Sequence, residues 1–205
     1  MSLIVLHYTS VNCAEALNLL CDPEKEVSAH YLIAQTGELI SMVAEDQRAW
    51  HAGKGSWGAV TDVNSASIGI EIENDGKAPF TAAAMLRLEG LLADLLARYD
   101  LPPKAVIAHS DLAPTRKSDP GVHFDWQRLA RLGLSIWPQM KPGEVDEIPF
   151  LRAAAQFGYG QEAGLETVLA AFRLRFRPGH HADLDQIDVK MINELARLWP
   201  AITPN

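Results

Sequence analysis

Three short apolar runs, each with a titratable residue at or near its end, constrain what this chain can fold into. The runs cover residues 4–9, 67–73 and 106–108, and the titratable residues are His7, Glu71 and His109. Short runs of this kind between polar segments are typical of buried or half-buried strands. Because side chains that end neighbouring strands converge at one edge of a sheet, we expect these groups to meet there.

Other segments predict the elements around these strands. Residues 31–34 and 39–43 read as two strands joined by a turn at Thr36 and Gly37. Helices are expected over residues 14–21 and 126–132. A longer helix is capped by Thr81, and its apolar side carries Leu86, Leu88, Leu91, Leu92, Leu95 and Leu96. Residues 48–64 show no regular period, which predicts a long loop, and long loops inside compact domains are usually functional.

The chain changes character after residue 138. Residues 139–147 carry Pro, Gly and charges without an apolar period, which predicts a linker. Three amphipathic stretches follow at residues 149–157, 165–176 and 188–198, and no strand pattern lies among them. We therefore expect a first domain over residues 1–138 and a small all-helical domain over residues 148–205.

Composition narrows the classes of partner. The chain has 205 residues, of which 48% are apolar and 21% charged, enough for a buried core. A formal net charge of -8 disfavours nucleic acid, and no apolar run is long enough for a transmembrane segment. Cys13 and Cys21, eight apart on one predicted helix, would lie roughly 12 Å apart along its axis, too far for a disulfide. We expect both to be buried apolar residues.

The titratable residues suggest metal chemistry. His7 and His109, with Asp119 ten residues after His109, would make a three-ligand site that leaves the fourth position of zinc for water. Taken singly, each histidine is better explained as a core residue. Glu71 either faces that water as a base or lies on a solvated strand face, and Lys117 is either an oxyanion partner or a surface lysine.

The order of the motifs favours the catalytic interpretation. The segments IVLHYT, VSAHYLIAQTGEL, RAWHAG, NSASIGIEIEN and AHSDLAPTRKSDPG together resemble N-acetylmuramoyl-L-alanine amidase family 2, the AmpD-like and AmiD-like enzymes related to peptidoglycan recognition proteins. The resemblance covers residues 3–137, and HSDLAPTRKSDPG is its most specific part. Residues 150–200, with FLRAAAQFGYG and AFRLRFRP, resemble the three-helix peptidoglycan-binding domain of wall hydrolases.

The resemblance implies a fold and a reaction. The fold is α/β (α+β), with a central mixed β-sheet flanked by helices and a small all-α domain after it. One zinc ion is held by His7, His109 and Asp119, Glu71 is the general base, and Lys117 stabilises the oxyanion. The reaction is hydrolysis of the amide between N-acetylmuramic acid, or its 1,6-anhydro form, and L-alanine in peptidoglycan or muropeptides.

Two departures from the wider family match its bacterial amidase branch. Relatives from phages and among the recognition proteins often have a cysteine as the third ligand, where this chain has Asp119. Those relatives also carry a catalytic tyrosine where this chain has Ala29, so Glu71 is expected to act alone. A recognition protein that binds peptidoglycan without cutting it remains an alternative, although such proteins typically lose a ligand or the base.

The remaining expectations concern the groove and the context. Arg48, Trp50, His51 and Asn74 are candidates for substrate binding, because indole rings pack against sugar faces and arginine suits carboxylates. His30 is expected to be structural. We expect a monomer in the cell envelope or periplasm if a leader precedes this sequence in the natural chain, and a cytoplasmic enzyme otherwise.

Overall fold

A single mixed sheet organises the structure, a computed structural model that describes residues 1–139, 147–160 and 162–201. Its strands within these residues are β1 (Leu3–Tyr8), β2 (Tyr31–Ile33), β3 (Leu39–Ser41), β4 (Ser67–Ile72) and β5 (Val106–Ala108). Their order is β3-β2-β4-β1-β5. Only the β2–β3 hairpin is antiparallel, and the other neighbours pair in parallel. The predicted mixed sheet is therefore confirmed.

The helices follow the predicted pattern closely. They are α1 (Cys13–Cys21), α2 (Val63–Ala66), α3 (Ala82–Arg98), α4 (His109–Leu112), α5 (Trp126–Arg131), α6 (Phe150–Phe157), α7 (Leu165–Phe176) and α8 (Gln186–Leu198). Single 3-10 turns lie at Pro23–Lys25 and Pro103–Ala105. Most of the predicted linker, residues 140–146, lies outside the described residues. No helix in the described ranges is long and apolar enough to cross a bilayer.

One face of the sheet packs against α3. Even-numbered residues of β1 and β4, such as Ile4 and Ile70, point to this face because side chains alternate along a strand. Thr81 caps the helix by accepting from the backbone N–H of Ala84. The leucines from Leu88 onward are buried as predicted, but Leu86 is 67% exposed, so its predicted place on the apolar side is wrong. The stripe of α3 runs instead through Ala84 and Met85.

The opposite face packs against the three C-terminal helices. Leu3, Val5 and Ile107 of the sheet belong to the same core as Phe157 of α6 and Phe172 of α7. Within the described residues, the three helices thus share a core with the sheet. Whether residues 148–205 also act as a separate domain stays a prediction.

The expectation for the two cysteines also changes in the structure. Cys13 is half-buried and Cys21 is exposed, so the prediction that both are buried is wrong. The reason is that α1 is a surface helix, with only Ala16 fully buried. Glu73 follows β4 and accepts the backbone N–H groups of Cys13 and Gln35. Its carboxylate therefore joins α1 to the β2–β3 hairpin.

Candidate metal centre

Strand alternation and register bring the titratable residues together. β1 and β4 are parallel, and His7 pairs with Glu71. β5 pairs with β1 up to Ala108, and His109 is the next residue, at the start of α4. All three residues follow the odd-numbered positions, so their side chains leave the sheet on the face opposite α3. Asp119 returns to them in the loop after α4, where its carbonyl accepts the N–H of Ser110 at 3.0 Å.

Three donor atoms form a compact triangle in this place. Nδ1 of His7 lies 2.8 Å from Nδ1 of His109 and 3.1 Å from Oδ2 of Asp119, and the third side is 3.0 Å. A tetrahedral zinc ion with bonds of 2.0–2.1 Å places its ligand atoms about 3.3 Å apart. The observed triangle fits such an ion, and all three side chains are buried. This buried group could bind a metal.

The hydrogen bond of His109 supports the same conclusion. Nε2 of His109 lies 2.9 Å from the carbonyl oxygen of Ala52. A carbonyl oxygen only accepts, so the ring hydrogen is on Nε2 and the lone pair on Nδ1 is free for a metal.

The electrostatics of the group also suit a cation. Burial, together with the neighbouring His109, lowers the pKa of His7 to about 4. Burial works against ionisation of Asp119, but the hydrogen bonds to His109 and His7 hold its pKa below the ordinary value. A neutral His7 imidazole beside the ionised Asp119 carboxylate is the combination of protonation states that metal ligation needs.

Glu71 is placed beside the triangle as a base. Its Oε1 lies 4.0 Å from Nδ1 of His7, and its Oε2 is buried without a hydrogen-bond partner among the described residues. Burial, followed by the charge of Asp119, raises the pKa of Glu71 to about 8, and Lys117 opposes this shift. An unpaired buried carboxylate with a raised pKa in a cleft is a functional-site feature.

A cavity of about 370 Å³ opens over the triangle. Its lining includes the cations Lys117 and Arg116 and the apolar side chains of Leu19 in α1, Val27 and Trp50. Trp50 is 53% exposed, as expected of a side chain that receives a ligand. The cavity lining thus combines cations with apolar side chains.

Two other candidates for substrate binding, Arg48 and His51, have different environments in the structure. Arg48 donates to Asp62 at 2.6 Å, and its guanidinium stacks on the Trp50 ring at 4.2 Å, so it supports the indole. His51 touches the cavity, but it is buried beneath His7. Burial, followed by the neighbouring histidines, lowers its pKa well below the ordinary value.

Asn74 has a structural place. It is buried, its side chain accepts the N–H of Gly76 and donates to the carbonyl of Ala78, and it is not among the described residues that line the cavity. These bonds close the turn after β4. The structure therefore does not support the prediction that Asn74 borders the groove.

His30 and Arg116 complete the surroundings. His30 accepts the N–H of Gly69 and donates to the carbonyl of Gln47, which agrees with the expected structural role. Arg116 was not singled out from the sequence. It donates to the carbonyls of Lys54 and Ala52, and so ties the loop of Asp119 to the long loop. Its position next to Lys117 was the only available signal.

A second group of possible metal ligands consists of His180, Asp185 and Asp188. Arg177 donates to Asp185 at 2.6 Å and to Asp188 at 2.7 Å, and Arg173 also pairs with Asp188. Because two guanidinium groups already neutralise these carboxylates, this cluster is an ion-pair network that joins α7 to α8.

Three possible metal ligands, an open cavity and the Glu71 carboxylate thus lie together at one edge of the sheet, an arrangement that suits a metal-dependent hydrolase. A family profile described as N-acetylmuramoyl-L-alanine amidase matches residues 1–122. The chain belongs to this family.

Individual relatives resemble most of the chain. N-acetylmuramoyl-L-alanine amidase AmiD of Escherichia coli K12 is 35% identical over 210 residues, covering 87% of this chain and 75% of AmiD. The AmiD structure in complex with the substrate anhydro-N-acetylmuramic acid-L-Ala-D-gamma-Glu-L-Lys gives a TM-score of 0.87 at 32% identity, covering 96% of this chain and 89% of AmiD.

Two further relatives extend the comparison. AmpDh3 from Pseudomonas aeruginosa, in complex with anhydromuramic pentapeptide, gives a TM-score of 0.87 at 29% identity over 98% of this chain and 93% of AmpDh3. The 1,6-anhydro-N-acetylmuramyl-L-alanine amidase AmpD of Enterobacter cloacae is 41% identical over 103 residues, which is 50% of this chain and 55% of AmpD. The AmiD and AmpDh3 matches thus include the C-terminal helices.

Proposed function

We propose that the protein is a zinc-dependent N-acetylmuramoyl-L-alanine amidase. It hydrolyses the amide between N-acetylmuramic acid, or its 1,6-anhydro form, and L-alanine in peptidoglycan or muropeptides. The observation that carries this proposal is the triangle of His7, His109 and Asp119 beside the unpaired Glu71, in a chain that belongs to the amidase family. The relatives crystallised with anhydromuramyl peptides support the substrate class.

His7, His109 and Asp119 would hold the zinc ion. When bound, zinc supplies a Lewis acid that lowers the pKa of water to about 7 and polarises a carbonyl. Two nitrogen ligands and one oxygen ligand leave one position for exchange, which suits a catalytic site better than a structural one.

Glu71 moves the protons. Its Oε2 has no partner among the described residues and takes the proton from the water that attacks the amide carbon. The same carboxyl then delivers this proton to the departing nitrogen of L-alanine, because an amine anion is a poor leaving group. A carboxyl with a raised proton affinity is suited to both transfers.

Lys117 stabilises the negative oxygen that develops on the amide carbonyl. The lysine lines the cavity and lies close enough to Glu71 to oppose the rise of its pKa. A cation at this point stabilises the transition state more than the ground state, because the carbonyl gains charge only as water attacks.

Product analysis tests the reaction. We expect mass spectrometry of a muramyl tripeptide digest in ¹⁸O-labelled water to find free peptide beginning with L-alanine and one ¹⁸O in the lactyl carboxylate. The same assay with the anhydro sugar measures which form is preferred. Tight binding without cleavage of either substrate would support a recognition protein instead, and cleavage after L-alanine would refute the assigned bond.

We further propose that residues 148–205 contact the cell wall, on the basis of their resemblance to peptidoglycan-binding domains. A cavity of about 540 Å³ along α6, lined by Leu151, Arg152 and Gln156, offers a place for a ligand. The test uses the full chain as Glu71→Gln with saturating muropeptide in the active site. Continued sedimentation with isolated sacculi is expected, and complete release by the muropeptide would contradict wall binding by this region.

All the side chains proposed for the reaction come from one chain, which supports a monomer as the active unit. Light scattering at working concentration should give the mass of a single chain. A mass that corresponds to a dimer would contradict this.

A further inference from the structure

The outer nitrogens of the two histidines in the triangle bond to consecutive residues of the long loop. Nε2 of His7 lies 3.0 Å from Nδ1 of His51, and Nε2 of His109 lies 2.9 Å from the carbonyl oxygen of Ala52. The loop thus contacts, in each ring, the nitrogen that does not belong to the triangle. His51 and Ala52 carry none of the three donor atoms themselves.

Hydrogen-bond polarity can be followed along the His51 branch. The Ser67 hydroxyl donates to the carbonyl of Val63 at 2.5 Å, so its oxygen is available only as an acceptor. His51 Nε2, at 3.2 Å from this oxygen, must therefore carry the ring hydrogen and donate it. A neutral imidazole with its hydrogen on Nε2 has a lone pair on Nδ1.

This lone pair on Nδ1 of His51 determines which ring nitrogen of His7 carries the hydrogen. Nδ1 of His51 accepts from Nε2 of His7, which places the hydrogen of His7 on Nε2. The lone pair of His7 is then on Nδ1, the atom that faces His109 and Asp119. The chain from His7 through His51 to Ser67 ends at a backbone carbonyl, so its direction does not depend on a bound metal.

We propose that His51 is a positioning residue that fixes the ring orientation and the tautomer of His7 for metal binding. The carbonyl of Ala52 does the same for His109. Outer partners of metal-ligating histidines typically change metal affinity or activity by about 10–100-fold when they are removed. This inference rests on the proposed zinc site and adds to it the residue that prepares one ligand.

The packing around His51 shows that its ring is held in place. A Cβ added to Gly69 of β4 would lie 2.2 Å from Cγ of His51, so the ring lies directly on the strand and needs glycine there. The neighbouring backbone is fixed as well, because Ala52 donates to Oδ1 of Asn64 at 2.8 Å and Trp50 donates to Ser28 at 2.9 Å. His51 is only 8% exposed and both of its nitrogens are used, so neither is left to bind a substrate.

Zinc affinity of the folded protein tests this role directly. The variant His51→Phe keeps a ring but has no acceptor, and we expect its zinc Kd, measured by competition with a chromophoric chelator, to rise about 10–100-fold. His51→Asn can place an amide oxygen near the former Nδ1 and should stay within a few-fold of wild type. Gly69→Ala keeps every histidine but displaces the ring, so it should weaken zinc binding as His51→Phe does.

The control is His30→Phe. His30 is a buried histidine that packs on His51 but bonds only to backbone groups. We expect this variant to lower the melting temperature while leaving the zinc Kd near that of wild type. An equal loss of affinity in His30→Phe and His51→Phe would show a general packing effect and overturn the inference.

The tautomer gives a second readout that needs no variant. ¹⁵N NMR of the zinc-loaded wild type should show His51 with its hydrogen on Nε2 and an unprotonated Nδ1. Hydrogen on Nδ1, or wild-type affinity in His51→Phe, would refute the positioning role while leaving the zinc site intact. Failure of the wild type to bind zinc would instead refute the proposed function, and this inference with it.

Discussion

Arg175 of α7 forms a deeply buried ion pair with Asp111 of α4. Its Nη1 donates to Oδ2 of Asp111 at 2.6 Å, and its Nη2 donates to the carbonyl of Val106 at 3.0 Å. The guanidinium also lies 4.3 Å from the centroid of the Trp126 ring. Arg175 is 1% exposed and Asp111 is 0% exposed, so solvent screens neither charge.

Asp111 also accepts two hydrogen bonds from outside this ion pair. Its carboxylate accepts the N–H of Ala108 at 2.9 Å and the hydroxyl of Tyr159 at 2.7 Å. It thereby joins the end of β5, and the α4 helix that begins at His109, to the C-terminal region. Loss of Arg175 would leave a buried carboxylate with two neutral donors only.

We predict that Arg175→Met lowers the free energy of unfolding by about 3–5 kcal/mol, because it removes one partner of a buried pair and leaves the other charge uncompensated. At roughly 2–4 °C per kcal/mol for a chain of this size, the melting temperature falls by about 6–20 °C. Urea denaturation followed by circular dichroism gives the free energy, and calorimetry gives the melting temperature. The double variant Asp111→Asn/Arg175→Met should lose less than the sum of the two single variants.

The number of unfolding transitions tests whether the C-terminal helices and the sheet unfold together. Because the C-terminal helices share a core with the sheet, wild type and Arg175→Met should each unfold in one transition. A loss below about 0.5 kcal/mol, which is within the range of ordinary surface substitutions, would refute the buried pair. Two separate transitions, only one of them shifted, would show that the helices fold independently.

Three other predictions concern single side chains. Glu71→Gln should abolish turnover and leave the zinc content unchanged. The control variant at the nearby Glu73, Glu73→Gln, should keep its turnover. Loss of zinc from Glu71→Gln would show that Glu71 is a zinc ligand. Lys117→Met should lower kcat about 10²–10³-fold with little change in KM, because this is the effect of losing one group that stabilises the oxyanion. A change in KM alone would contradict the oxyanion role of Lys117. Hydrogen bonds from Arg98 lower the pKa of Glu45 from 4.5 to about 2. The stability from this shift is therefore present above pH 4.5 and is lost as the pH falls towards 2. Denaturation at both ends of this range should show Glu45→Gln less stable than wild type by about 1–2 kcal/mol at pH 7 and by less at pH 2.5; a difference independent of pH would refute it.

Much of the sheet and of the candidate centre could be predicted from local pattern. Short apolar runs predicted β1 and β4, and the expected meeting of His7 and Glu71 at one edge of the sheet agrees with their pairing in the structure. The C-terminal helices could also be predicted from local pattern. A period near 3.6 in the apolar residues indicates a helix even when the element that it packs against is unknown. The family resemblance then ordered the residues into roles.

The tertiary partners could not be predicted in this way. His51 lies in a loop without a period, so its contact with His7 depends on the whole path of residues 48–64. Arg175 lies in a predicted amphipathic helix, and the helical pattern does not show that its side chain is buried against the charge of Asp111. Cys21 and Leu86 were expected inside, but a helical stripe does not show where the covering layer ends.

The central claim is that one zinc ion held by His7, His109 and Asp119 is required to cut the muramyl–alanine amide. The most direct measurement is to titrate zinc into chelator-treated, metal-free protein while following release of L-alanyl peptide from a muropeptide. We predict no release without zinc and a linear rise that ends at one equivalent. Full turnover by the metal-free protein, or a rise that needs zinc but persists unchanged in His109→Ala, would contradict this claim.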